Sequence, residues 1–363
     1  MEKGYKKIPI LRAILFKDYD EALKLISADQ TLVNMIHKKS GDSPLIVASR
    51  LMNKEIVKLL LENGANIEHK NLDGKQAIHE AASCGSQDIL EQLISRKADV
   101  DALKRADWTP LMFACVNGHL KCAAVLVEYG ASCGRMNKDG WTPFHLACRE
   151  GHLDIVKYLL TVDGKLYLKS SKNLRTPLHT SCMHGQMNVC QQLIDLPGID
   201  VRAKDSCGST PALDSIRFNF IDITKMLVEK SPDCLKDQDN LGKSAIHIAA
   251  QSGHCDALQY LHKDCCWNDI NQPCGNAKMT PLHYAAKEGN IEALRYIMSL
   301  VDTVDCFDKF GRTPLHLSVA SNKLLVVPMI LSAGAGCEIK DSSGKYPVDY
   351  ALSDKMKTLL NSF

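Results

Sequence analysis

The chain has 363 residues, 45% of them apolar, enough for two or three ordinary domains or for one long repeat array. Its formal net charge of +2 argues for no polyanionic partner as a property of the whole chain. The 15 cysteines are odd in number and scattered, and no stretch approaches the roughly 20 apolar residues that cross a bilayer. The first residues, MEKGYKKIPILRAILF, are basic, but Arg12 interrupts their apolar run, so they do not read as a secretory signal. No Asn-x-Ser/Thr acceptor occurs. The expectation is a soluble intracellular chain with no membrane segment and with its thiols kept reduced.

Taken in chain order, one tetrad recurs. Its first residue falls at Ser43, Gln76, Thr109, Thr142, Thr176, Thr210, Ser244, Thr280, Thr313 and Tyr346, in steps of 33 to 36 residues, with an unmarked start at Ile8. Self-similarity at that period means a stacked array of small units. One unit can be read in 137–166. Asn137-Lys138-Asp139-Gly140 predicts a turn, with Gly140 free to take positive φ. Thr142 predicts an N-cap and Pro143 the first helical position. A first helix is predicted over about 143–150, ended by Gly151, and a second over about 153–161 with Leu153, Val156, Leu159 and Leu160 at helical spacing. One unit cannot bury both helices, so neighbours must stack.

The ends depart from this pattern. The first unit has no Thr cap, and the last carries Tyr346-Pro347-Val348-Asp349 and a polar tail. Both are predicted to close the ends of the array. Pro328 falls inside a predicted second helix and should kink it.

The tetrads and their flanks, among them TPLMFAC, TPFHLAC, TPLHTSC, TPLHYAA, NGANIEHKN and EGHLDIVKYLL, resemble the ankyrin repeat family over about residues 8–360. The resemblance implies an all-α solenoid of helix pairs with β-hairpin fingers, curved, with a concave binding face. The chain then reads as a single array, 1–363. Residues 1–40 form an N-terminal capping repeat, 41–340 about nine repeats, and 341–363 a C-terminal cap.

Catalytic and metal chemistry find little support. Six histidines (His79, His145, His179, His247, His283, His316) occupy the fourth slot of the tetrad, and His119, His152 and His254 follow a glycine before second helices. Repetition of that kind predicts structural hydrogen bonds at helix ends rather than a site. Cys115, Cys148 and Cys182 share one phase of the first helix and read as small buried residues. The exception is 254–274, where His254, Cys255, His262, Cys265, Cys266 and Cys274 gather as the repeat lengthens to 36. Adjacent Cys265 and Cys266 suit a zinc site poorly, so no metal is expected, although a metal- or redox-responsive reading of this segment stays open. No phosphate cradle, HExxH or GxSxG element is present. Neither an enzyme nor a cofactor is expected.

The informative stripe lies just before each tetrad, on the finger: Lys75, Trp108, Trp141, Arg175, Ser209, Lys243, Met279, Arg312, Lys345. Trp, Trp and Arg in succession are the residue types that dominate interfaces, and Phe113 on the next helix extends the patch. Residues 104–175 carry eleven Lys/Arg against six Asp/Glu. A mildly basic middle suggests an oriented protein surface, and without base-stacking repeats no direct nucleic acid is expected. Protein docking through Trp108, Trp141, Arg175, Phe113 and Arg105 is the expectation. The bland alternative is that each Trp packs on its neighbouring finger.

LKRADWTPLM, NKDGW, RTPLHT and LHYAAKEG are similar to family members that serve alanyl-tRNA synthetase in the cytoplasm and nucleus. That resemblance implies a cofactor that binds the synthetase and accepts misactivated serine on its own lysines, so preventing mischarging. It places an acceptor at Lys138, a second at Lys104-Arg105 and a third near Leu168-Lys169. Arginine cannot act as the nucleophile, which leaves Lys104 and Lys169 as the candidates beside Lys138. The alternative is a general intracellular scaffold or inhibitor with an unrelated protein partner.

Overall fold

The structure is a computed structural model describing Tyr5, 8–265 and 270–362. Cys266 lies outside the described residues. The chain forms two compact units, Met1–Pro177 and Leu178–Phe363, the boundary falling at the first residue of a helix.

Each unit is a succession of helix pairs. In the first unit these are α1 (Pro9–Leu15) and α2 (Tyr19–Ala28), α3 (Pro44–Arg50) and α4 (Lys54–Glu62), α5 (Ala77–Cys84) and α6 (Gln87–Ser95), α7 (Pro110–Val116) and α8 (Leu120–Glu128), and α9 (Pro143–Glu150) and α10 (Leu153–Val162). The second unit holds α11 (Pro177–Met183) and α12 (Met187–Ile194), α13 (Pro211–Arg217) and α14 (Ile221–Lys230), α15 (Ala245–Ser252) and α16 (Cys255–Gln259), α17 (Pro281–Glu288) and α18 (Ile291–Met298), α19 (Pro314–Ala320) and α20 (Val327–Ser332), and the terminal α21 (Asp354–Leu360).

The local code works as the sequence predicts. The Thr142 hydroxyl accepts from the His145 amide at 3.3 Å, and Thr109 does the same for Met112. Pro143 sits in the first turn of α9, and Gly151 ends the helix at φ 81°. Phe144, Leu146, Ile155, Val156 and Leu159 are buried between the helices. Ile8 caps α1 without a side-chain bond, as the missing Thr implies.

The tetrad histidines are the mortar between adjacent repeats. The Thr142 amide donates to Nδ1 of His145, which leaves Nε2–H to donate to the carbonyl of Arg175 at 3.2 Å. His283 and His316 reach the carbonyls of Arg312 and Lys345 in the same way. The Gly-His residues do a second structural job: Nε2 of His119, His152 and His254 lies 3.0–3.1 Å from the carbonyls of Ser83, Val116 and Arg217, at the end of the preceding first helix.

Two expectations change. The fingers are tight turns rather than paired strands. Each closes on itself, as where the Asn137 amide donates to the Trp141 carbonyl, and the one recorded bridge among the described residues is Cys274–Met279. Pro328 does not kink a helix. The helix α20 begins late, at Val327, so that proline occupies its first turn, where a missing N–H costs nothing.

Candidate docking site on the third and fourth fingers

The fingers of the first unit are joined edge to edge. The amides of Leu72, Arg105, Lys138 and Lys172 donate to the carbonyls of Ser40, Asp73, Ala106 and Asp139 on the preceding finger. A residue on one tip is therefore fixed relative to its neighbours.

Most fingers are built by one device. The first residue is Asn or Asp, and its side-chain oxygen accepts from the amides two and four positions on. Asn71, Asn137, Asp205, Asp239, Asp308 and Asp341 all do so, for instance Asn137 Oδ1 from Asp139 and Trp141 at 2.9 Å each. The glycine that follows takes positive φ, as Gly140 does at 80°.

The third finger has neither part. Lys104 stands in the Asn/Asp slot and Asp107 in the glycine slot. Both Ala106 (φ 63°) and Asp107 (φ 59°) adopt left-handed backbone. The Asp107 amide still closes a turn on the Lys104 carbonyl at 3.1 Å. With Ala106 left-handed at the third position, this is the type II form. Without a side-chain oxygen to hold the Ala106 amide, the peptide plane is free to flip.

The side chain of Lys104 goes to the aromatics instead. Its Nζ lies 5.6 Å from the Trp108 ring centre and 5.1 Å from that of Phe113. The two rings are 5.4 Å apart and tilted by 47°. Lys75 comes over Phe113 from the second finger, also at 5.1 Å, and His79 meets the same ring edge-on. Burial lowers the Lys104 ammonium from its ordinary value, and the neighbouring charge of Lys75 lowers it further. Burial likewise holds His79 neutral, down to about 4, while its Nε2–H donates to the Ala102 carbonyl.

Behind Lys75 lies a closed charge network. Lys75 pairs with Glu80 at 3.4 Å, Glu80 with Arg50 at 2.9 Å, and Arg50 with Asp42 at 3.1 Å. Burial would raise the Asp42 carboxyl, but hydrogen bonds from Arg50, Tyr5 and Asn71 outweigh it and hold the group down to about 2. These residues line a cavity of about 820 Å³ that also includes Lys39 and Asn71.

Trp141, one repeat on, has a different setting. Its finger is Asn-capped, its ring is half-buried, and the Arg149 guanidinium lies 5.4 Å from the ring centre. Arg175 contributes its carbonyl to His145 and its amide to the Ser171 hydroxyl. Arg105 and Lys138 are exposed on adjacent tips, whereas Lys169 is half-buried, its Nζ lying over Gly134. The sequence-predicted residues thus fall into two groups, Lys104–Trp108–Phe113 with Arg105 beside them, and Trp141 with Lys138.

Lys75, His79 and Arg149 were missed as members of these groups. A signal existed for Arg149. It lies eight residues after Trp141, the same spacing that separates Asp42 from Arg50 and Lys243 from Gln251, and each of those pairs is also in contact. The last turn of a first helix reaches back to its own finger. In the second unit, His262 bonds the Tyr296 hydroxyl, and among the described residues no three His, Cys, Asp or Glu side chains converge as a metal site.

Comparison with known proteins agrees with this architecture. The family description "Ankyrin repeats (3 copies)" matches residues 10–104, 98–170, 130–205, 178–273 and 246–343. The E3 ubiquitin-protein ligase XBAT33 of Arabidopsis thaliana is 33% identical over 114 residues, 30% of this chain and 22% of that protein. Ankyrin repeat, SAM and basic leucine zipper domain-containing protein 1 of Dasypus novemcinctus is 37% identical over 95 residues, 25% of this chain and 20% of that protein. The chain therefore spans about a fifth of the length of these curated relatives. The crystal structure of the human ASB11 ankyrin repeat domain aligns with a TM-score of 0.52 at 26% identity, covering 57% of this chain and 92% of that one. Such repeats indicate a protein–protein interaction module, generally without enzymatic activity of its own. On matches that run through most of its length, this chain belongs to the ankyrin repeat family.

Proposed function

We propose that this chain docks a protein partner through its third and fourth fingers, and that the partner is alanyl-tRNA synthetase. The observation that carries the docking reading is the Lys104–Trp108–Phe113 cluster. Half-exposed aromatics and a cation occupy a finger that gave up both of its own turn-forming residues. Stability surrendered at this tip, in an array where six fingers keep the Asn- or Asp-capped turn, is the mark of a surface kept for contact.

The choice of synthetase rests on the likeness of LKRADWTPLM, NKDGW and RTPLHT to ankyrin repeat domain-containing protein sixteen. On that reading the chain works in the cytoplasm and nucleus and accepts misactivated serine. A neutral lysine Nζ attacks the carbonyl carbon of seryl-adenylate. The amide C–N bond forms, the acyl–phosphate C–O bond breaks, AMP leaves with the electron pair, and the amine proton passes to water. An ordinary lysine near 10.4 is scarcely neutral at pH 7, so proximity must supply most of the rate. Lys138, exposed beside Trp141, and Lys104 and Lys169 are the acceptors to test.

The test is binding of purified synthetase to the full chain, followed by mass spectrometry for seryl-lysine after incubation with serine and ATP. Trp108→Ala combined with Trp141→Ala should weaken binding at least a hundredfold. Undiminished binding by that double variant, or no serylated lysine on the parent chain, sinks the reading.

A further inference from the structure

We infer that the surface between Lys75 and Lys104, over the face of Phe113, receives a carboxylate from an acidic–apolar peptide segment of the partner. This rests on the docking reading above but not on the partner's identity.

Three observations carry it. First, two ammonium groups lie over one ring, each 5.1 Å from the centre of Phe113. Lys75 already has Glu80, itself shared with Arg50, whereas Lys104 makes no ion pair among the described residues. Asp73 and Glu80 act on it only at longer range, and a crowded cation with no carboxylate in contact is a vacancy for an anion.

Second, the second unit contains a control. There Lys243 lies 5.9 Å from the centre of the Tyr284 ring and His247 meets that ring edge-on, just as Lys75 and His79 meet Phe113. Lys243 is buried and satisfied by Asp239 and Gln251. The slot equivalent to Lys104 holds Cys274, whose thiol reaches the Tyr284 hydroxyl. Lysine, histidine and aromatic ring are therefore ordinary repeat packing. The added Lys104 is what departs from it.

Third, the Asn or Asp oxygen that holds six of the other fingers is missing here, and no side-chain oxygen replaces it as the Ser171 hydroxyl does on the fifth. Among the described residues the Ala106 and Trp108 amides find no side-chain acceptor on their own finger, so its donors and its cation both await an oxygen from outside. The half-exposed rings of Trp108 and Phe113 frame that point with apolar surface. An acidic residue next to an apolar one satisfies all of it. Two lysines are too few to track a nucleic-acid backbone, which needs a longer row of charge. With Lys104 engaged by a carboxylate it stays protonated, which leaves Lys138 and Lys169 as the acyl acceptors of the proposed function.

The experiment is selection of a displayed library of random peptides about 12 residues long against the full chain. Binders are then remeasured on Lys104→Asn and Lys104→Arg, with single-stranded RNA as a competitor. Enriched peptides should carry Asp or Glu beside Leu, Phe or Trp. They should weaken roughly tenfold or more on Lys104→Asn, stay within about threefold on Lys104→Arg, and weaken as salt is raised. Absence of acidic enrichment over the starting library, failure to recover any binder that Lys104→Asn weakens, or displacement of the peptides by RNA overturns the inference. Lys104→Asn restores the usual finger and should melt no lower than the parent, so loss of folding is separable. Synthetase binding is measured on the same variants. If it persists while no acidic peptide is selected, only the carboxylate contact falls. If acidic peptides are selected but synthetase does not bind, only the choice of partner falls.

Discussion

The third and fourth fingers share a tryptophan at the same position and differ in almost everything that holds it. Asn137 and Gly140 build the fourth finger from within: one oxygen takes two amides, and a glycine absorbs the left-handed turn. Lys104 and Asp107 do neither, and the third finger pays with two left-handed non-glycine residues. Trp141 has its cation from the same repeat, Arg149. Trp108 shares its cation with Phe113, and that cation makes no ion pair among the described residues. Two positions that look alike in the sequence are a braced ring and an open one. The same repeat motif can therefore serve as scaffold in one copy and as contact surface in the next.

The largest way to stress both fingers is acid. His79 and His145 are held neutral by burial, each at about 4 against an ordinary value near 6.5. The unfolded chain therefore takes up protons before the folded one does. Their contribution is complete above about pH 6.5 and is lost progressively as pH falls toward 4, by up to on the order of 3 kcal/mol each. Urea melts at pH 7 and 4.5 measure this, and His79→Gln should flatten part of the slope. A pH-independent midpoint across that window would contradict the buried neutral imidazoles.

Gly140→Ala comes next. Its Cβ would lie 2.4 Å from the Lys172 amide nitrogen, and its φ is 80°. We expect a loss of about 3 kcal/mol in the first unit, read by denaturant melts, from backbone strain and a broken finger-to-finger contact. Asn137→Ala should cost about 2 kcal/mol, because two amides lose their acceptor. The matching change Lys104→Ala should cost less than about 0.5 kcal/mol. Equal costs for the two would erase the distinction between the fingers.

The last effect has the opposite sign. Lys104→Asn combined with Asp107→Gly should stabilise the chain by about 1 kcal/mol, since it supplies the missing oxygen and relieves one left-handed residue. Calorimetry reads the shift. A double variant less stable than the parent would mean that the third finger is already satisfied by contacts other than those of its neighbours.

The sequence by itself determined the period, the helix pairs, their Thr-Pro starts and glycine ends, and the structural use of the histidines. All of these depend on residues within one unit or at a fixed repeat distance. Local hydrogen bonding and helical spacing decide them, so they can be read from one chain. The aromatic stripe was legible for the same reason, and Trp108, Trp141 and Phe113 stand where their phase put them. What only the tertiary structure decided is which cation meets which ring. Lys75 and Phe113 are 38 residues apart and meet across two repeats. Arg149 comes back to Trp141 from the end of a helix. The turn form of the third finger was equally hidden, because losing an acceptor shows as a substitution in the sequence but as a flipped peptide only in space. Pro328 gives the same lesson in reverse. A proline within an apolar run predicts a kink, but the chain starts α20 at Val327, because packing fixes where a helix begins more firmly than pattern does.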